Sequence, residues 1–517
     1  MGDKSTWAPV YDGPVLLMDT RQVKLVGAAA VTVLLLAILD INIVSAVAWK
    51  TVSDLDPVHG IAELPWLTSC YALADCIVVP LYGRLADEYG SKPLLLAALG
   101  LFSAGSLGCG AARSLTQLIA ARTVQGLGAG GLTAITLVLT GTLFDDRDED
   151  GDPDRTVKPS HAVGVGAAVM FGIGLALGPT LGGLIADSLS WRWVFLVNLP
   201  VAAAAFAVFA LALRLPAHPV RRRIDFLGAA LLAGFGACAL LAAQWGGSRY
   251  AWSSAEIAAL TGGAVLLAGC FVWRSLVAPE PLVSLSLLRN PVFRMMTPVS
   301  LVAGTGVAGG LFYVNGYLQV GRGLSTGRAG LLTACTAAGV LASVPVAKVV
   351  VDTLGKFKYL LVAAGLFEAV VLIAFGGIGT GTSYWVIGAG CFVLGIGIGQ
   401  SLGLGLQYMQ SSVDPADLGV ATGSLRFAQQ LGTSFGFALY STIVARYLDA
   451  HLTGAASVDG NLDTSALRLL PAAEHRAAAG VFVNATNVVF AVAGVLCLAA
   501  GLMALAIREK GHRAAGR

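Results

Sequence analysis

Gly83-Arg84-Leu85-Ala86-Asp87-Glu88-Tyr89-Gly90-Ser91-Lys92 is the stretch on which the fold turns. It is short, charged and bounded by glycine, and it lies between two long apolar runs. So short a connection makes the flanking helices antiparallel neighbours. Its charges do not belong in hydrocarbon, so it marks a membrane surface. The spacing of Asp87 and Gly90 returns at Asp352 and Gly355, after a later apolar run. Basic residues follow in both places, Lys92 in one and Lys356 and Lys358 in the other, while Lys348 stands where the first copy has Gly83. A worn internal repeat of this kind points to two related halves.

Composition agrees. Of 517 residues 56% are hydrophobic and only 12% charged, about half the charged share of a soluble chain, and mean hydropathy is +0.77. Runs of about 20 apolar residues recur, each long enough to cross a bilayer as a helix. About fourteen spans are expected, near residues 24–49, 62–83, 94–112, 115–143, 160–187, 192–215, 225–246, 254–277, 293–318, 327–352, 358–378, 383–411, 418–448 and 481–507. An even number puts both termini on one side. With the termini inside, the cytoplasmic segments carry 22 of the 33 Lys and Arg residues and the outer ones 9, which obeys the positive-inside rule. Trp49, Trp66, Trp191, Trp193, Trp245, Trp252 and Trp385 then fall at outer span edges, where indole rings anchor. No cleavable signal peptide is read, and a net charge of +3 gives no reason to expect nucleic acid.

The eight cysteines lie in apolar runs without metal-ligand spacing and read as small buried side chains. Asp146-x-Asp148-x-Asp150-Gly151 opens like a calcium loop, but its twelfth position is Val157 rather than Glu. The Asp145 to Asp154 loop is therefore read as solvated and acidic, and no metal is expected. No Walker-type sequence and no clustered His, Cys or Ser/His/Asp set is present, so neither nucleotide-driven work nor an enzyme is expected.

The motifs resemble those of a known family. Gly83 to Lys92 resembles the loop between spans two and three of the major facilitator superfamily. Leu118 to Gly130, with Arg122, Gln125, Gly126 and Gly128, resembles its fourth-span motif. Gly174-x-x-x-Gly178-Pro179-x-x-Gly182-Gly183 resembles the fifth-span motif of its proton-driven exporters. Leu39-Asp40 with Ile43-Val44, and Trp191-Arg192-Trp193-Val194-Phe195-Leu196-Val197-Asn198-Leu199-Pro200, resemble the fourteen-span drug:proton antiporters. Tyr317-Leu318-Gln319 and Arg426 to Gly432 also fit. The chain departs where Asn42, Ser45 and Trp49 replace a usual Thr, Asn and Pro, and where Val165 replaces a usual glycine.

The resemblance implies an all-α membrane protein with the major facilitator fold, about 14 transmembrane helices in two six-helix halves plus an inserted helix pair. The expected units are 1–215, an N-terminal half; 216–292, an inserted hairpin of spans seven and eight with its linker; and 293–517, a C-terminal half. The implied function is proton-coupled export of small amphipathic or cationic drugs, dyes or antibiotics, by a monomer in a bacterial plasma membrane with both termini cytoplasmic. The proton gradient replaces any cofactor. The alternatives are a dedicated exporter of one endogenous metabolite or antibiotic, and a lipid-handling membrane protein.

Charges inside spans are functional candidates because each is costly unless paired or hydrated. Asp40 and Arg122 are expected to form a switchable pair for proton coupling, or a permanent structural pair. Asp75 and Glu368 are further carboxyls for a proton or a cationic group, or acids kept neutral against a neighbouring helix. Asn42, Gln125, Asn315, Tyr317, Gln319, Gln400, Gln407 and Arg426 are candidate substrate-cavity groups. Gly83, Arg84, Asp87, Gly90, Lys92 and Asp352 form the gating loops. Gly174, Gly178 and Gly182 share one helical face that admits a close neighbour, and Pro179 bends the helix. The resemblance implies that this stretch, through Gly183, is a hinge and gasket that biases the protein toward export.

Overall fold

The computed structural model describes residues 18–56, 60–143, 174, 177–214, 225–246, 250–278, 287, 289–354, 358–410, 412–413, 418–451, 457–458, 461–462 and 472–507. Apart from one two-residue hairpin, β1 (Ser457–Val458) with β2 (Asn461–Leu462), and an isolated bridge, these residues are helical or in turns. The helices are α1 (Thr20–Leu55), α2 (Gly60–Tyr89), α3 (Ser91–Ala111), α4 (Leu115–Leu143), α5 (177–188), α6 (Trp193–Ala212), α7 (Phe226–Trp245) and α8 (Ala255–Val277). They continue with α9 (Pro291–Gly316), α10 (Thr326–Leu354), α11 (Lys358–Phe375), α12 (Tyr384–Ile398), α13 (Leu418–His451) and α14 (Ala472–Ala504). Among the described residues, 9 helices are long and apolar enough to cross a membrane.

Helix ends follow caps rather than the edges of apolar runs. Asp19 and Gln22 close a capping box that starts α1 four residues before the expected span. Asn290 caps α9 ahead of Pro291, a residue whose missing N–H costs nothing in the first turn. The largest difference concerns the opening motif. It is not a ten-residue turn: residues 83–89 continue α2, and Gly90 alone joins α2 to α3. Gly90 has φ 85°, a conformation that a β-carbon disfavours. Nothing between Arg84 and Tyr89 breaks a helix, so the helix runs until that glycine.

The first six helices pack together, with α4 against α2 and α3, and α1 against α2, α4 and α6. In the second set α9 packs on α13 and α14, α10 on α12, and α11 on α12 and α14. Helices α7 and α8 pair with each other, and α7 leans on both α2 and α13. The sets meet along α2 with α13 and along α1 with α9 and α10.

The apolar cores show how the sets meet. One cluster joins them at the end where α1 finishes, with Val47, Trp49, Phe195, Phe312, Tyr313, Phe437 and Phe482. At the opposite end each set has a cluster of its own, and a small cluster around Ala229 and Leu232 of α7 touches Leu81 of α2 and Phe427 of α13. Val26, Tyr82, Leu95 and Phe209 belong to a first-set cluster, and Met296, Leu361, Met409 and Leu425 to a second-set cluster.

Trp385 is 88% exposed, and Trp193 and Trp252 are exposed too, as interface anchors should be. Trp49 and Trp191 are buried instead. Trp49 packs on Phe312, Tyr313 and Phe482 of the second set. Its indole fastens the two sets together rather than resting at lipid.

Candidate functional site

Four helices converge on one buried carboxylate. Asp40 sits in the middle of α1. Arg122 and Gln125 lie three residues apart on α4, so they share a face. Ser106 comes from α3 and Asn198 from α6. Asp40 is 1% exposed and Arg122 is 0% exposed. Arg122 Nη1 donates to Asp40 Oδ2 at 2.5 Å and to Gln125 Oε1 at 2.8 Å. Its Nε donates to the Leu67 carbonyl at 3.2 Å. Gln125 Nε2 and Asn198 Nδ2 donate to Asp40 Oδ1 at 2.9 and 2.7 Å. Gln125 also donates to Ser106 Oγ at 2.7 Å. The guanidinium carbon stands 4.0 Å from the Tyr71 ring centroid, a cation–π stack.

Three donors reach the two oxygens, two on Oδ1 and one on Oδ2, which fills three of the group's four lone-pair sites. The burial cost of the ion pair is offset only because this shell is so nearly complete. Two groups remain unmatched: Arg122 Nη2 and the Tyr71 hydroxyl are buried without a hydrogen-bond partner.

The α5 glycines face other helices. A β-carbon at Gly178 would lie 2.6 Å from Asn42 Cβ, and one at Gly182 2.9 Å from Ile43 Cγ2, both on α1. A β-carbon at Gly183 would lie 2.6 Å from Gly327 Cα of α10. Gly174 faces Ile38, and the Pro179 carbonyl lies against Gly330 of α10. Helix α5 thus touches both sets at once. Beside this contact the Gly327 N–H donates to Asp187 Oδ2 at 2.8 Å. Lys50 is 3.4 Å from Asp187 Oδ1 and donates to the Ala186 carbonyl. Gln319 Nε2 crosses between the sets to the Ala46 carbonyl at 3.0 Å.

The remaining expected residues divide. Gln125 belongs to the Asp40 network rather than to an open cavity. Asn42 donates to Ile38 of its own helix. The Tyr317 hydroxyl donates to the Gly379 carbonyl and receives Arg322, so it ties down the end of α9. Asn315 and Gln400 are buried, and both side-chain polar atoms of Gln400 lack a partner. Thr133 approaches Asp75 at 3.4 Å. Glu368, Ser401, Arg426 and Gln429 line one narrow cavity in the second set. Lys92 does not reach that set. It donates to the Ala210 and Leu213 carbonyls at 2.8 and 2.9 Å, where the C-terminus of α6 leaves acceptors open. Gly83, Arg84, Asp87, Asp352 and Gln407 lie outside the residues whose side chains are described, as does the Asp145 to Asp154 loop altogether.

Sequence reading missed Ser106, Asn198, Tyr71 and Asp187. Asn198 stood inside a quoted motif, one turn beyond the tryptophans, and its amide was the only signal. Ser106 and Asp187 gave none.

The sequence matches the profile of the Major Facilitator Superfamily over residues 29–437. It is similar to the Uncharacterized MFS-type transporter Rv1877 of Mycobacterium tuberculosis, 31% identical over 449 residues, which are 86% of this chain and 64% of that protein. The chain thus spans under two thirds of the mycobacterial relative's length. The Multidrug transporter protein MdtP of Bacillus subtilis is 28% identical over 406 residues, 78% of this chain and 72% of that protein. Among solved structures, that of an auto inhibited POT family peptide transporter has a TM-score of 0.63 at 15% identity, covering 96% of this chain and 99% of that one. The helix order, the Asp40–Arg122 network and the profile match agree: this chain belongs to the major facilitator superfamily.

Proposed function

We propose that the protein is a proton-coupled antiporter that exports small amphipathic or cationic molecules across a bacterial plasma membrane by alternating access. Both termini are then cytoplasmic, and the working unit is a monomer. The observation that carries this reading is the buried Asp40 carboxylate with its three donors. Two donors fill Oδ1 and one reaches Oδ2, so a lone pair on Oδ2 stays open to a proton. A proton there would remove the charge that holds Arg122, which links protonation to a change of helix geometry. A protonated Asp40 loses its charge attraction for Arg122, and the guanidinium then shifts toward other acceptors, moving α1 relative to α4.

The separate clusters of the two sets at the end where α1 begins support alternating access, with cargo entering from the cytoplasm. The close contact of α5 with α10 is the seal that must part for release. The likeness to a multidrug transporter supports drug-sized cargo.

Inverted membrane vesicles test this. With an acidic lumen, they accumulate lipophilic cations or dyes, and a protonophore abolishes the accumulation. Uptake confined to one endogenous compound would favour a dedicated exporter. Uptake that ignores the proton gradient would refute coupling.

A further inference from the structure

The narrow cavity in the second set belongs to neither the Asp40 network nor the α5 seam. Its walls include Ser300 of α9, Glu368 of α11, Ser401 of the π-helical turn (Gly399–Leu404) that follows α12, and Arg426 and Gln429 of α13. Its volume is about 20 Å³, room for about one water. Glu368 is 1% exposed, and Ser401 Oγ donates to its Oε1 at 2.8 Å. Helix α12 comes close enough for this because position 397 is glycine: a β-carbon there would stand 2.6 Å from Glu368 Cγ.

The groups facing Glu368 are few. Helix α14 brings Ala500 and Gly501 to the cavity wall. Helix α9 and the π-helical turn after α12 bring hydroxyls and apolar side chains. Helix α13 brings the one cation lining the cavity, Arg426, which is exposed. A carboxylate buried this deeply without a cation in contact is costly. A metal cation would find too few oxygens and a guanidinium nearby.

We propose that Glu368 is a second proton-binding site, held as the neutral acid beside Ser401 and discharged through the cavity when Arg426 moves in. On discharge the carboxyl O–H bond breaks and the proton passes to the cavity water. The carboxylate left behind pairs with the guanidinium. Arg426 lies on α13, which packs on α2 at the seam between the two sets, so a rearrangement of that seam is the signal that moves it.

Infrared difference spectra of the purified full-length protein in detergent, without cargo, test the site. A buried-acid carbonyl band should be present and fade as pH rises. Glu368→Gln should remove it. Glu368→Asp should move it, which identifies its owner even if the glutamine variant does not fold. Asp40→Asn should leave it in place. Arg426→Gln should push its disappearance to higher pH by about one unit or more. A band that neither Glu368 variant alters would overturn the proposal, as would one that sodium ions displace at constant pH. The site is separate from the export reading, so failed vesicle transport with this band intact would count against that reading alone.

Discussion

At the scale of single residues, Asp40 organises the first set of helices through three donors. Removing one donor leaves a buried oxygen underserved. Asn198→Ala and Gln125→Leu should each lower unfolding stability in detergent by about 1–3 kcal/mol. Arg122→Leu should cost more, about 3–5 kcal/mol, because it strands a buried carboxylate. Adding Asp40→Asn to Arg122→Leu should restore part of that loss, and denaturation midpoints of the four proteins in the cycle measure it. Simple additivity would mean that the two charges do not interact. Asp40 and Arg122 were legible in the sequence because charges in apolar runs are rare and expensive. Their neutral partners were not. Gln125 is one of several polar residues in spans, and only the convergence of α1, α3, α4 and α6 makes it a strut rather than a cavity wall. Trp49 was misread for a similar reason: its place at a span end suggested a lipid anchor, and only the packing shows aromatic neighbours from the other set.

At the scale of elements, sequence fixed the middles of helices better than their ends. Apolar runs define where hydrocarbon lies, while caps and glycines define where the backbone stops. This is why α2 extends to Tyr89 and α14 starts at Ala472, beyond the apolar stretches. The loop that named the topology proves to be a helix end with a one-residue joint. Lys92 serves that joint by closing the end of α6. Lys92→Met should cost about 1.5–3 kcal/mol, the range for hydrogen bonds from a charged donor, and should leave the α5 seam unaffected. Wild-type stability in that variant would mean that water replaces the ammonium. The α5 glycines are a different device, legible as a pattern but not in their target. Gly178 and Gly182 fit α1, while Gly183 fits Gly327 of α10. Gly183→Leu should therefore prise the sets apart at the outer end. A cysteine placed at Ala46, which is buried, should become reactive to an impermeant thiol reagent applied outside. Unchanged protection would show that α5 does not hold that seam.

At the scale of the whole molecule, one apolar cluster joins the two sets where α1 ends, while at the other end each set also has a cluster of its own. This arrangement was not legible in the sequence, because each helix is apolar along its whole length and periodicity does not say which partner covers it. Two cysteine positions test which end opens, on a cysteine-free background. Gln429→Cys should react with reagent added from the cytoplasmic face. Gln319→Cys, beside the Ala46 carbonyl, should stay protected from the outer face until cargo and a proton gradient drive turnover. The most direct measurement of coupling uses the protein reconstituted in liposomes with a trapped pH dye. A cargo gradient imposed in the export direction should drive protons the opposite way, and Asp40→Asn should abolish that proton flux while retaining the fold. Cargo movement without proton flux in the wild type, or equal proton flux in Asp40→Asn, would contradict a proton-coupled antiporter built on the Asp40–Arg122 network.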